Sequence, residues 1–206
     1  MSIPPTNRLA GAALVTGGLA WSLSYWLRDA AGDATSGGLV AAAIVTGVLG
    51  VVTVMLGLPG WYAAQADRAR WAGLVAFVLV FTALPILEIG SLVFAAAQPG
   101  LGLGSEAEFE TATALAGGLF VYGLAGTNLG LVFLGFVTWR AKVLPRPAAA
   151  MVALGPLLIF APVDFAYGEA VALSVCFLGI SWIGWALGGG RTDRSETASR
   201  PATAMV

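Results

Sequence analysis

W-A-G-L-V-A-F-V-L-V-F-T-A-L-P-I-L-E-I-G-S-L-V-F-A-A-A, residues 71–97, is an apolar and small-residue run broken by one ionisable side chain, Glu88. A helix apolar on all sides is buried in a large core or lies in lipid. At about 1.5 Å per residue a run of this length reaches roughly 40 Å, more than the bilayer hydrocarbon core of about 30 Å. The strand of a membrane barrel would alternate apolar and polar residues over about ten positions. The run lacks that alternation, so it predicts a membrane-spanning helix.

The rest of the chain agrees. Of 206 residues, 58% are hydrophobic and 10% charged, with a mean hydropathy of +0.87. A soluble domain carries about 25% charged residues, and this chain has too few to cover itself with water. Five further apolar runs read as spans, at 9–27, 38–58, 111–139, 148–162 and 169–187. The expected fold is therefore all-α: an integral membrane bundle of six transmembrane helices over residues 1–189. The polar tail 190–206 has the composition of a disordered segment. The first run resembles a signal peptide in having Arg8 before an apolar stretch. Trp26, Leu27, Arg28 and Asp29 follow in place of a small-residue cleavage site, so a retained helix is expected.

Charge sets the expected orientation. Arg8, Arg68, Arg70, Arg140, Lys142, Arg146, Arg191, Arg194 and Arg200 fall on one side of a six-span chain, and only Arg28 on the other. Asp29, Asp33, Glu106, Glu108, Glu110, Asp164 and Glu169 lie with Arg28. The positive-inside rule then places both termini in the cytoplasm and the protein in the cell membrane. The lipid bilayer is the first expected partner. The seven Trp residues fall mostly near predicted span ends, as in an interfacial aromatic belt.

Absent residue types exclude much chemistry. Cys176 is the single cysteine and there is no histidine, so no intramolecular disulfide, Cys-cluster metal site, His-ligated haem or Ser-His pair can form. The single lysine, Lys142, lies in a basic loop, which removes an intramembrane Schiff base. No cofactor, no metal and no nucleic-acid partner is expected, and no catalytic set is visible, so the chain does not read as an enzyme.

The ends of the even-numbered spans echo one another: L-G-L-P-G-W (56–61), L-G-F-V-T-W (134–139) and L-G-I-S-W (178–182). Repeated helical hairpins of this kind occur in transporters. L-G-L-P-G-W-Y-A-A-Q (56–65) and W-R-A-K-V-L-P-R-P-A-A-A (139–150) resemble the loop signatures of small multi-pass membrane proteins of high-GC, actinobacterial-type bacteria. The resemblance covers spans two to five. It implies location in a membrane and no particular activity, because such families carry none assigned.

Glu88 is the residue that asks for an explanation. It lies 17 residues past Trp71, about 26 Å along a helix and so near the outer edge of the bilayer core. Pro85 frees the carbonyl of Phe81 and bends the helix one turn earlier, placing Phe81, Leu84, Pro85, Glu88 and Ser91 on one face. Asp164 and Glu169 flank a short outer turn at the same level, with Arg28 as their counter-ion. Three such carboxylates suit a hard cation, although Glu169 also fits a helix N-terminus. The S-E-A-E-F-E-T stretch (105–111) follows glycines that lack the Lys and context of a nucleotide loop, and its acids fit a helix cap.

The fourth span carries Ala114, Gly118, Tyr122, Gly126 and Gly130 at steps of four. Such a small-residue stripe brings helix backbones together, inside the bundle or between protomers. Asn128 is expected near mid-bilayer, bonding across a helix interface. Pro156 marks a second kink in span five. Two functions suit these features. One is an accessory, assembly or sensor component acting through helix–helix contacts, as a homo-oligomer or with a partner membrane protein. The other is a small cation- or proton-coupled transporter that uses Glu88.

Overall fold

The computed structural model describes residues 5–31, 37–96, 106–159 and 168–189. These residues form five helices: α1 (Pro5–Ala31), α2 (Gly37–Ala96), α3 (Glu106–Ala141), α4 (Arg146–Leu158) and α5 (Gly168–Gly188). Three stretches, Gly38–Val93, Gly117–Ala141 and Gly168–Gly188, are long and apolar enough to cross a membrane. Asp33, Asp164 and the 190–206 tail lie outside the described residues.

α2 is the element the sequence reading divided differently. A loop is expected over 59–70, but helix continues through Pro59 as far as Ala69. A proline removes one backbone donor and crowds the carbonyl four residues earlier; neighbouring helices make that tolerable. The break falls on one residue, Arg70, at φ 49° and ψ −143°. Two contacts show what the break does. Gly47, before it, lies against Glu88, after it. Tyr62 and Phe77 stack across it with ring centroids 5.2 Å apart. The two arms of α2, 37–69 and 71–96, therefore fold back on each other as a helical hairpin.

The helices close into a ring. α1 packs on α2 and α5, α3 on α2 and α4, and α4 on α5. Glycines let the backbones meet. A Cβ on Gly11 would stand 2.5 Å from the Gly184 carbonyl oxygen, joining α1 to α5. One on Gly50 would stand 2.8 Å from the Trp21 backbone nitrogen, joining α1 to the first arm of α2. Gly135 meets the Ala149 carbonyl oxygen of α4 in the same way, at 2.7 Å. Without a hydrophobic force between helices in lipid, such close approach is the main source of packing energy.

The surface is inverted relative to a soluble protein. Leu9, Leu56, Val121 and Leu129 are each at least 65% exposed, while Gln65, Thr138 and Ser24 are buried. The aromatic-belt expectation suits Trp71 and Trp185, which are 73% and 70% exposed. It fails for two others. Trp61 is fully buried and donates its Nε1–H to Thr138 Oγ1 at 3.1 Å, joining α2 to α3. Trp21 is buried and stacks on Phe177 of α5 at 4.4 Å. Both tryptophans find partners inside the ring, which a one-dimensional position near a span end does not reveal. α3 also begins earlier than expected, at Glu106, so Glu106, Glu108 and Glu110 fall within the helix.

Candidate functional site

Glu88 points into the ring. It lies on the second arm of α2, one turn past the half-buried Pro85, and is 8% exposed. Gly47 on the first arm makes room for it: a Cβ there would stand 3.3 Å from Glu88 Oε1 and 3.6 Å from Ser24 Oγ of α1. Ser24 is buried, and its hydroxyl donates to the Trp21 carbonyl oxygen at 2.7 Å. Its single proton is thus engaged, and toward the carboxyl group Ser24 can only accept. Glu88 Oε1 has no hydrogen-bond partner among the described residues.

One charged group acts on this point. Arg28, one turn beyond Ser24 on α1, acts electrostatically on Glu88. Its guanidinium lies 5.4 Å from the centre of the Tyr25 ring. Tyr25 feels Arg28, Glu169 and Glu88 together, and stacks on Phe177 at 5.8 Å. Ser22 and Ser174 share a hydrogen bond at 2.8 Å, and Trp26 Nε1–H donates to Ser174 Oγ at 2.9 Å. One polar layer therefore runs through α1, both arms of α2 and α5.

The expected site residues fall in different places. Glu88 borders the layer with Arg28 acting on it, and Glu169 lies near enough to act on Tyr25. Asp164 lies outside the described residues. Among the described residues no three Asp, Glu, Cys or His side chains gather as a metal set. Asn128 is buried on α3, away from the layer. Its expected cross-helix bond is replaced by a local one: Nδ2 donates to the Leu124 carbonyl of its own helix at 2.8 Å. A helix carbonyl four residues back always lies within reach of a short amide, so the local partner wins.

The small-residue stripe separates into two parts. Gly126 packs on Ala83 and Gly130 on Val80, both on the second arm of α2. Gly118 and Tyr122 are exposed. A step of four residues advances about 40° beyond a full turn, so a strict four-residue stripe winds off any flat interface. The buried face instead runs through Gly123, Gly126 and Gly130, and Gly123 makes the closest approach, onto Leu87. Ser24, Tyr25 and Gly47 were not legible as site residues. The available signal was the glycine series Gly47, Gly50, Gly57 and Gly60, whose spacing traces one helix face.

The layer can hold a proton or a small cation between a carboxylate and hydroxyl acceptors, with an arginine to balance the empty state. No protein-family model, curated protein or solved structure matches the chain.

Proposed function

We propose that this chain is a polytopic membrane protein of six spans, with both termini in the cytoplasm, that moves a proton or small cation by way of Glu88. The observation that carries the reading is the inward position of Glu88, buried between α1 and the two arms of α2, with Oε1 unpartnered among the described residues. A carboxylate in lipid-embedded protein is costly and marks ion pathways or proton relays. The two arms of α2 count in this reading as two spans and α1, α3, α4 and α5 as one each; its support is the fold-back of α2 at Arg70. Arg28 competes with the ion for Glu88, which gives the carboxylate two alternative partners. Glu169, in the first turn of α5, stands at the mouth of the same layer.

The test is flux in proteoliposomes carrying an internal pH dye, under imposed Na⁺, K⁺ or proton gradients. Glu88→Gln abolishes the flux and Glu88→Asp retains part of it. Equal flux in wild type and Glu88→Gln would end the carrier reading. The six-span count has its own test. Single cysteines in a Cys176→Ser background at Ser36 and Ser105 react from outside the cell, and those at Ala66 and Ser199 only after permeabilisation.

A second reading, assembly with another membrane protein or a second copy, is favoured by Gly117 and Gly118. A Cβ on either meets nothing within 4 Å among the described residues. The apolar Val121 beside them is 65% exposed. Gly126 and Gly130 are already used inside the chain, so this reading rests on the Gly117–Gly118 face. Mass photometry of Gly118→Leu in nanodiscs decides it: an unchanged mass distribution removes its support.

A further inference from the structure

The opposite end of the α2 hairpin holds a second polar feature that the Glu88 layer does not use. A cavity of about 300 Å³ is lined by Ala64, Gln65, Asp67, Arg68, Lys142 and Val143. Glu88 lies 18 residues beyond the Arg70 break, about 27 Å along the helix, so the two sites are separate.

Gln65 is the decisive residue. It is 1% exposed, yet neither its Nε2 nor its Oε1 has a hydrogen-bond partner among the described residues. Leaving a buried amide unpaired costs about 1–3 kcal/mol; Gln65 lines the cavity, and a turn of its side chain toward that space is what gives the amide a partner. Arg68 anchors the wall by donating Nη1–H to the Ala141 carbonyl oxygen at 3.2 Å, and its remaining donors have no acceptor among the described residues. Lys142 follows α3 directly and takes φ 56°. This is the left-handed position just past a helix end, more often a glycine, and it closes α3 beside the cavity. Two cations and one carboxylate, Asp67, leave the lining with a net positive charge.

We propose that this cavity binds a phosphate group. Gln65 Nε2–H, the Arg68 guanidinium and the Lys142 ammonium are donors to its oxygens. The excess of one positive charge matches the single negative charge of a phosphodiester, the group a phospholipid presents at a membrane surface. Basic pockets between spans at this level hold lipid headgroups. A free phosphate offers the same oxygens, and the experiment separates the two.

The full chain is delipidated in detergent and its melting followed by tryptophan fluorescence. Dioleoylphosphatidylglycerol, dioleoylglycerol and inorganic phosphate are titrated separately. The phosphatidylglycerol raises the melting temperature saturably and the uncharged diacylglycerol does not. Lys142→Asn, which tolerates the left-handed backbone, weakens the apparent lipid affinity about tenfold, as expected for one charge-assisted hydrogen bond. Gln65→Leu melts at or above the wild-type temperature without lipid and loses the response to it. Inorganic phosphate that reproduces and competes with the shift identifies a soluble phosphate; phosphate without effect identifies the lipid. Equal shifts from phosphatidylglycerol and diacylglycerol would overturn the proposal, as would wild-type responses in both variants. Should a variant fold poorly, phosphorus analysis of purified wild type gives the direct answer: no co-purifying phosphorus and no saturable shift overturns it.

Discussion

Gly47 and Glu88 face each other across the α2 hairpin, so close that a Cβ at residue 47 would stand 3.3 Å from the Glu88 carboxylate. The glycine is the floor of the acid's pocket. Gly47→Ala fits with a shift of a few tenths of an ångström. It gains helix propensity of about 1 kcal/mol, which offsets the crowding. Gly47→Leu overfills the space and costs about 1–3 kcal/mol. The expected outcome is near-wild-type melting for Gly47→Ala with slowed ion flux, and lowered melting with no flux for Gly47→Leu. Unchanged flux in Gly47→Ala would separate the pocket from function.

Trp61 and Thr138 join α2 to α3 through a buried hydrogen bond of 3.1 Å. Thr138→Val leaves the indole N–H unpaired and costs about 1–3 kcal/mol. Trp61→Phe removes the donor as well, so the double variant is less damaged than the two single losses added together. A double-mutant cycle by thermal melting checks this. Strict additivity would mean the bond contributes nothing.

Gly123→Leu and Gly118→Leu lie on one helix five residues apart and have opposite expected fates. Gly123 sits on the Leu87 backbone, where no side chain fits; Gly118 has nothing within 4 Å among the described residues. Gly123→Leu forces α3 off α2 and prevents accumulation of folded protein. Gly118→Leu meets open space and gains helix propensity of up to about 1 kcal/mol, so it folds at least as well as wild type. Size-exclusion profiles of the two variants in the same detergent report the contrast.

Arg70 holds the hairpin turn at φ 49° without being a glycine. Backbones of this kind cost about 1–3 kcal/mol. Arg70→Gly therefore raises the melting temperature, and Arg70→Val, with its branched side chain, lowers it. The reverse order would show that the arginine side chain, and not the backbone, sets the turn.

The amino-acid sequence alone determined the class of this protein. An apolar chain with 10% charged residues suits a bilayer better than water, and long uniform apolar runs satisfy their backbone there as helices; three stretches are long and apolar enough to cross one. Glu88 was legible too, because one carboxylate in an apolar run is conspicuous whatever surrounds it. The tertiary structure decided which groups meet. The α2 arms continue helix through Pro59 and turn at Arg70, because neighbouring helices hold a backbone that local propensity would open into a loop. Trp21 and Trp61 went inside, and Asn128 bonded to its own helix, because partners across a ring are set by helix rotation. Periodicity fixes that rotation only to within a few tens of degrees. The same uncertainty put Gly118 in the predicted stripe and left Gly123 out. Ser24 and Gln65 carry no signal along the chain, and Gly47 carries one only as a member of its glycine series. They acquire meaning only where three helical rods bring a hydroxyl, a missing side chain and a carboxylate to one point, or where a buried amide opens onto a cavity between two cations.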